Sequence, residues 1–297
     1  MRKEDISFED FCNMLFSKVN DIKNKKDSSE SIVLKKVLKS NDQEKMVITI
    51  EGKDTMVSPV IYLEDLLKRY DGENLDDLAD WLYGELQDGK GALSNSDVFD
   101  KLTHDGVKGN LSIRLINRHR NEKYLANKVY KEYLDLAVIF LVQVSMEDNN
   151  GQVVITKDLA KQLELSEEEL FNLALTSAPK LHPAQNITFS DAIGYMGEDV
   201  RGMDDLFRVI TNRDKIYGAS VLLYPGFIEE LYQRYGKMYV LPSSQHEVLL
   251  VDHNADPLDY LQMVREVNGT VVDNEDYLSD SVYEITKDGL SIAVAAA

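Results

Sequence analysis

Residues 206–253 of the 297-residue chain decide the fold, and they read LFRVITNRDKIYGASVLLYPGFIEELYQRYGKMYVLPSSQHEVLLVDH. The segment Phe207–Thr211 predicts a strand, and the polar residues that follow it are typical of a turn. Ile216–Tyr224 is rich in β-branched and aromatic residues, so it predicts a second strand, with Gly218 at a bulge or a close approach of two backbones. Pro225 cannot donate a ladder hydrogen bond and would end that strand.

The second half of this stretch predicts a helix followed by two strands. Phe227–Tyr235 places its apolar residues on one helical face, and Gly236 supplies the left-handed residue that commonly ends a helix. Met238–Leu241 and Glu247–Val251 are short apolar runs separated by a polar turn, which is typical of paired strands. The resulting β-β-α-β-β order predicts an α+β fold in which helices cover one face of a mainly antiparallel sheet.

The flanking sequence predicts two domains. Residues 1–105 should form a mainly helical N-terminal lobe with one β-hairpin, and residues 106–297 an α+β lobe built around residues 206–253. Residues 20–31 have the composition of a linker, and residues 178–205 have that of an irregular segment. Periodicity and capping residues predict further helices near residues 8–19, 62–70, 75–87, 95–102, 166–177 and 256–268, and further strands near residues 32–38, 46–50, 111–117, 133–144, 152–156, 281–285 and 290–293.

Six stretches carry a resemblance to a known family: SPVIYLEDLLKRY (58–70), YLDLAVIFLV (133–142), NRDKIYGASVLLYPGF (212–227), YVLPSSQHEVLLV (239–251), MVREVN (263–268) and LSDSVY (278–283). Together they resemble an uncharacterised family of bacterial proteins found in gut anaerobes, a domain of unknown function. The resemblance covers most of the chain. It implies a bacterial origin and a shared fold, and it assigns no catalytic residue.

The chain is strongly acidic, with 52 Asp and Glu against 33 Lys and Arg and a formal net charge of −19. Broad binding to a phosphate backbone requires clustered Lys and Arg, so direct nucleic-acid binding is not expected. The charge is uneven, because residues 51–100 hold 13 acids against 4 bases, whereas residues 101–150 hold 8 bases against 6 acids. Hydrated acidic helix faces are the simplest explanation of the excess.

Composition also limits which cellular compartment and which kinds of chemistry can be expected. Cys12 is the only cysteine, so no intrachain disulfide can form, and its place on an apolar helical stripe predicts a core residue. The first residues, MRKEDISFEDF, lack the apolar segment of a signal peptide, and the apolar run Leu136–Val142 is far shorter than the ~20 residues that span a bilayer. We therefore expect a cytoplasmic protein without a membrane contact. No metal-ligand or cofactor motif is intact, so we expect neither a metal nor a cofactor.

The polar turn at residues 243–247 is the first candidate for catalysis. Ser243 or Ser244 could act as a nucleophile, with His246 as its base and Glu247 as the group that orients the histidine. Adjacent strand residues point to opposite faces, so His246 and Glu247 would not meet if both lie in the strand. The alternative is a structural turn in which the serines bond the backbone and His246 is partly buried with its hydrogen bonds satisfied.

Arg114, Arg118 and Arg120 begin a basic run in an otherwise acidic chain, and they are the anion-binding candidate. They could bind an anion or a nucleic-acid strand. They could equally neutralise the acidic helices of the N-terminal lobe, and this second explanation requires no ligand.

The sequence therefore predicts a binding or regulatory protein that acts through a protein partner of unknown identity. Two alternatives stay open. One is a hydrolase with its site at the turn of residues 243–247. The other is an acidic nucleic-acid mimic that presents the carboxylates between Glu64 and Asp100.

Overall fold

The structure, a computed structural model, describes residues 6–26, 29–51, 57–145, 150–194, 202–204, 206–242 and 244–295. Each of its two compact units combines helices with antiparallel sheet, which confirms the predicted α+β class. Among these residues, every helix is too short or too polar to cross a membrane. The first unit comprises Met1–Lys39, Gln43–Phe99 and Ser145–Gly151, and the second unit comprises Ser40–Asp42, Asp100–Val144 and Gln152–Ala297.

The first unit packs two long helices against a three-stranded antiparallel sheet of order β1-β2-β3. Ser7 caps the first helix by accepting the backbone N–H of Asp10, and Phe11, Leu15 and Val19 recur at helical spacing on its buried face. The elements of this unit are α1 (Phe8–Lys25), β1 (Ser31–Leu38), β2 (Glu44–Glu51), β3 (Val60–Tyr62), α2 (Glu64–Arg69), α3 (Leu75–Ser94) and α4 (Val98–Lys101). The last two residues of α4 are assigned to the second unit.

Cys12 lies in the core formed by α1 and α3, as its helical spacing predicts. Burial raises the pKa of the Cys12 thiol to about 11. The thiolate is the reactive form of cysteine, so a buried thiol with a raised pKa is a poor nucleophile.

The second unit contains two sheets, and the smaller one has four antiparallel strands. Its strands are β4 (Leu111–Asn117), β5 (Tyr130–Tyr133), β6 (Leu136–Ser145) and β7 (Asn150–Val154), of which the last residue of β6 and the first two of β7 are assigned to the first unit. β6 is central because β4, β5 and β7 all pair with it. Its residues 136–142 are buried, which explains their continuous apolar run.

The larger sheet has six antiparallel strands in the order β13-β12-β10-β11-β9-β8. These strands are β8 (Ala184–Thr188), β9 (Phe207–Asn212), β10 (Met238–Leu241), β11 (Val248–Asp252), β12 (Val282–Thr286) and β13 (Gly289–Val294). The last two segments of the quoted stretch therefore form the paired strands β10 and β11, with Tyr239 opposite Val251.

The described residues of the second unit also form the helices α5 (Glu122–Leu125), α6 (Lys157–Gln162), α7 (Glu167–Leu181), α8 (Phe189–Ile193), α9 (Phe227–Tyr235) and α10 (Pro257–Thr270). Ser166 and Glu169 form the capping box that begins α7, and the Asp256 side chain caps α10. Val264 of α10 packs against Tyr239 and Val251 of the larger sheet. Local capping signals thus place these helices correctly.

The predicted strand at Ile216–Tyr224 is wrong, because residues 218–223 form a 3₁₀ helix. Lys215 and Tyr217 both adopt left-handed backbone conformations, which turn the chain away from an extended path. Residues 218–222 are all buried instead of alternating between two faces of a sheet, whereas Ile216 is 51% exposed. The predicted close approach at Gly218 is confirmed, since a Cβ there would lie 2.4 Å from the carbonyl oxygen of His246.

Two predictions of irregular chain are also corrected. Residues 20–25 belong to α1, and Ile22 extends the apolar stripe that residues 11–19 begin. The segment 178–205 contains the end of α7, the strand β8 and the helix α8. Pro179 lies in the last turn of α7, and β8 pairs with β9 although its composition is polar. Residues 27–28, 195–201 and 205 lie outside the described part.

Alkaline pH is expected to destabilise the protein. Burial raises the pKa of Tyr224 and of Tyr277 to about 12, whereas an exposed tyrosine titrates near 10. Because the unfolded chain loses these protons first, stability is complete below pH ~10 and falls as the pH rises. Urea unfolding between pH 8 and 11 should show a loss of about 1.4 kcal/mol per pH unit for each such tyrosine above pH ~10. Tyr224→Phe removes one of the two titrating groups, so it should reduce the slope by about 1.4 kcal/mol per pH unit. An unchanged slope would contradict the prediction.

Candidate functional site

The polar turn after β10 meets the segment that precedes the 3₁₀ helix, and His246 joins them. The Tyr217 backbone N–H donates to His246 Nδ1 at 3.2 Å, and His246 Nε2 lies 3.0 Å from Asp276 Oδ1. Since Nδ1 accepts a hydrogen bond, the ring proton belongs on Nε2, which donates to the carboxylate. Both ring nitrogens of His246 are therefore engaged.

The serines of this turn have different positions. The Ser244 hydroxyl accepts the backbone N–H of His246 at 3.0 Å, so this hydrogen bond joins it to the backbone and not to the ring. Ser243 lies outside the described residues, and Glu247 is half-buried directly before β11. A nucleophile must lie within hydrogen-bond reach of its base. The hydrolase alternative stays a prediction that this geometry does not favour for Ser244.

Arg114 extends the histidine turn into a column of stacked side chains. Its guanidinium lies 3.9 Å from the centre of the Tyr217 ring, and that ring stacks on His246 with centroids 5.4 Å apart. Arg114 Nε donates to Gln245 Oε1 at 2.6 Å, and its other end donates to Ser40 Oγ. These partners occupy the Arg114 side chain, so it orders the turn and is poorly placed to capture an anion from solution.

Replacing His246 by alanine is expected to lower the free energy of unfolding by about 1–3 kcal/mol, because the Tyr217 N–H and the Asp276 carboxylate lose their partner. His246→Asn should cost less, since its Oδ1 can replace Nδ1 as an acceptor. Ser244→Ala should also cost less, because water can replace a hydroxyl at a turn. Urea unfolding compares the three variants. An unchanged or higher midpoint for His246→Ala would favour the hydrolase, because active-site groups are often held at a cost in stability.

Arg118 and Arg120 have partners different from those of Arg114. The Arg120 guanidinium lies 3.5 Å from the centre of the Tyr277 ring, beside a cavity of about 410 Å³ that Arg265 also lines. Arg118 Nη1 pairs with Glu132 Oε1 at 2.7 Å, whereas Arg118 Nε is buried and has no hydrogen-bond partner among the described residues. The three arginines therefore do not form one site.

Two adjoining cavities run along β5, with volumes of about 330 and 560 Å³. They share Tyr130, Glu132 and Lys157, and we call them together the β5 groove. Volumes of this size are typical of ligand sites in proteins. The groove is lined by Arg118, His119, Glu122, Leu125, Ala126, Lys128, Val129, Tyr130, Lys131, Glu132, Lys157 and Glu167.

The lysines of the β5 groove, unlike Arg118, contact groups that carry no charge. Lys157 Nζ donates to the Ala126 carbonyl at 2.7 Å, and Lys131 Nζ lies 4.9 Å from the centre of the Phe171 ring. Lys128 Nζ donates to Asn127 Oδ1 at 2.6 Å, and burial lowers the pKa of the Lys128 ammonium. An anion placed beside Lys128 would favour its charged form and so oppose the effect of burial.

Several residues of these clusters escape analysis of the sequence. Asp276 is thirty positions from its partner His246, and Lys157 joins the groove from the start of a different element, α6. The basic excess of residues 101–150 is the one signal that indicates the groove region. In the described part of the chain, no group of three histidine, cysteine, aspartate or glutamate side chains is placed to hold a metal ion.

Some acidic side chains proposed as a nucleic-acid mimic are paired within the first unit. Asp65 Oδ1 lies 2.6 Å from Lys68 Nζ, and Asp76 Oδ1 lies 2.7 Å from Lys18 Nζ. The pKa of Asp65 is lowered by its hydrogen bond to Lys68. These pairs reduce the negative potential that a mimic would present.

The model of one protein family, a family of unknown function (DUF5688), matches residues 8–287. No curated protein and no solved structure matches the sequence. The match covers parts of both units.

Proposed function

The chain belongs to a family of unknown function, DUF5688, and from its geometry we propose that it is a binding protein that holds an acidic partner in the β5 groove. Regulation through that partner is the role that such binding would serve. The observation that carries the proposal is the Arg118 guanidinium, which is only partly used by its neighbours.

Arg118 supports an anionic ligand because it has a donor to spare. Its Nη1 pairs with Glu132, but its buried Nε–H lacks an acceptor among the described residues. A buried donor without a partner costs about 1–3 kcal/mol, which leaves the guanidinium incompletely satisfied. The Arg118 side chain is 33% exposed, so a carboxylate or phosphate oxygen can approach the guanidinium from the groove, and a small shift of the side chain would then pair the Nε–H as well. A guanidinium presents several donors in one plane and suits such oxygens well.

The lysines of the groove support the same conclusion. Lys128 and Lys131 contact neutral groups, and Lys157 donates to a carbonyl. Ammonium groups that contact no carboxylate of the described residues are unexpected in a chain of net charge −19, which has acids to spare. An acidic partner would supply the missing counter-charge and would be drawn to this surface in preference to the rest of the molecule.

A direct test is the binding of fluorescein-labelled decaglutamate, followed by fluorescence anisotropy. We expect saturable binding that weakens with added salt, as contacts between exposed charges do. The double variant Arg118→Gln/Lys157→Gln should weaken it by on the order of 10-fold or more, because each charged hydrogen bond contributes about 1.5–3 kcal/mol.

The matched control is Arg234→Gln/Lys237→Gln, which removes the same charge from exposed positions of the second unit outside the β5 groove. It should leave the affinity for decaglutamate within about 2-fold, since neither residue lines the groove and exposed charges are screened by salt. Equal weakening by both double variants would contradict the proposal, as would the absence of saturable binding.

A further inference from the structure

We infer that the acidic partner is an extended protein segment that adds to the open edge of β5 as a further strand. This inference rests on the proposed function, since it names the kind of partner that the β5 groove would hold.

The backbone of β5 is open on one side. It pairs with β6 through four residues, from Tyr130 opposite Ile139 to Tyr133 opposite Leu136, and no described strand pairs with its second edge. Tyr130–Tyr133 make no backbone hydrogen bond to any described element other than β6. Alternate residues of an edge strand point their N–H and C=O groups outward, where a new strand can bind them.

The groove is lined by three of the four residues of β5, a length that suits a short peptide. Four residues of strand span about 13 Å, and Tyr130, Lys131 and Glu132 line the larger cavity. A small inorganic ion would use one or two cations of the groove and leave the backbone groups unpaired. A peptide strand would use both, and main-chain hydrogen bonds supply the affinity in this mode of recognition.

The charges on the two faces of β5 select the partner. Lys131 lies on the face covered by Phe171 of α7, while Glu132 points to the opposite face, where it pairs with Arg118. A strand beside β5 would thus meet a cation on each face. Lysines on a sheet edge commonly prevent unwanted pairing. An acidic strand is the one that these cations would admit.

The experiment uses wild-type protein and a fluorescein-labelled octapeptide of alternating glutamate and valine. In one derivative the glutamate nitrogens are methylated, and in the other the valine nitrogens are methylated. Both keep the charge, but each loses the N–H groups along one edge of the strand. Because only one edge would face β5, we expect one derivative to bind at least about 10-fold more weakly than the parent and the other to bind within about 3-fold.

The outcomes separate the two proposals. Equal affinities of the two methylated peptides, whether both are retained or both are lost, would overturn strand addition. If decaglutamate binding still depends on Arg118 and Lys157 in that case, the proposed function survives. If decaglutamate binding does not depend on them, both proposals are overturned.

Discussion

Replacing Asp135 by alanine is expected to lower the free energy of unfolding by about 3–5 kcal/mol, because three buried hydroxyl groups lose their common acceptor. Asp135 Oδ2 accepts from Ser279 Oγ at 2.5 Å and from Ser281 Oγ at 2.9 Å, and its Oδ1 accepts from the hydroxyl of Tyr283. All three donors are almost completely buried, so water cannot easily replace the carboxylate. Burial, followed by the nearby charge of Asp135, raises the pKa of Tyr283 well above its usual value.

Two conservative variants separate lost hydrogen bonds from lost volume at this position. Asp135→Asn keeps one oxygen acceptor and should cost less than Asp135→Ala. Tyr283→Phe removes a single donor and should cost about 1–2 kcal/mol. Urea unfolding followed by far-UV circular dichroism measures all three variants. If Asp135→Ala unfolds at the wild-type urea concentration, the hydroxyl groups have other acceptors and this account of the network is incorrect.

Asn121→Ala is expected to cost about 3 kcal/mol, because the side chain is fully buried and serves three neighbouring groups. Its Oδ1 accepts the Asn41 backbone N–H at 2.6 Å. Its Nδ2 donates to Asn41 Oδ1 at 2.7 Å and to the Asn117 carbonyl at 2.6 Å. Asn41 has a left-handed backbone, and its side chain donates in turn to the carbonyls of Asn274 and Tyr277.

A double-mutant cycle tests whether the two asparagines act as a pair. Asn121→Ala/Asn41→Ala should cost less than the sum of the single variants by about 1 kcal/mol or more, since both singles remove the same hydrogen bond. Asn41→Gly accepts the left-handed backbone and should cost less than Asn41→Ala. Additive costs would show that Asn41 and Asn121 do not depend on each other.

The sequence predicts the elements whose signals are local. The stripe of α1, the capping box of α7 and the proline at the start of α10 each need only a few neighbouring residues. The 3₁₀ helix at residues 218–223 cannot be recognised in this way, because a segment buried on all sides has the composition of a buried strand. Two left-handed residues, Lys215 and Tyr217, decide its path, and neither is a glycine.

The candidate site is predictable only in part, for a related reason. The basic excess of residues 101–150 indicates a cationic region, and Arg118 lines the β5 groove. The pairing of Arg118 with Glu132 and of His246 with Asp276 depends on how distant segments pack. The spacing of residues along the sequence does not predict such contacts. Arg114 illustrates the opposite error. The sequence indicates an anion-binding residue, but its guanidinium already contacts the Tyr217 ring and donates to Gln245.

The two compact units also decide which optical signal can follow these experiments. The only tryptophan, Trp81, and the only thiol, Cys12, both belong to the first unit, whereas the variants discussed above lie in the second. Intrinsic tryptophan emission and thiol labelling therefore respond directly to the first unit. Of the 15 tyrosines, only Tyr62, Tyr70 and Tyr83 lie in the first unit, so tyrosine absorbance is weighted towards the second. Unfolding of the second unit is therefore better followed by tyrosine absorbance than by tryptophan fluorescence.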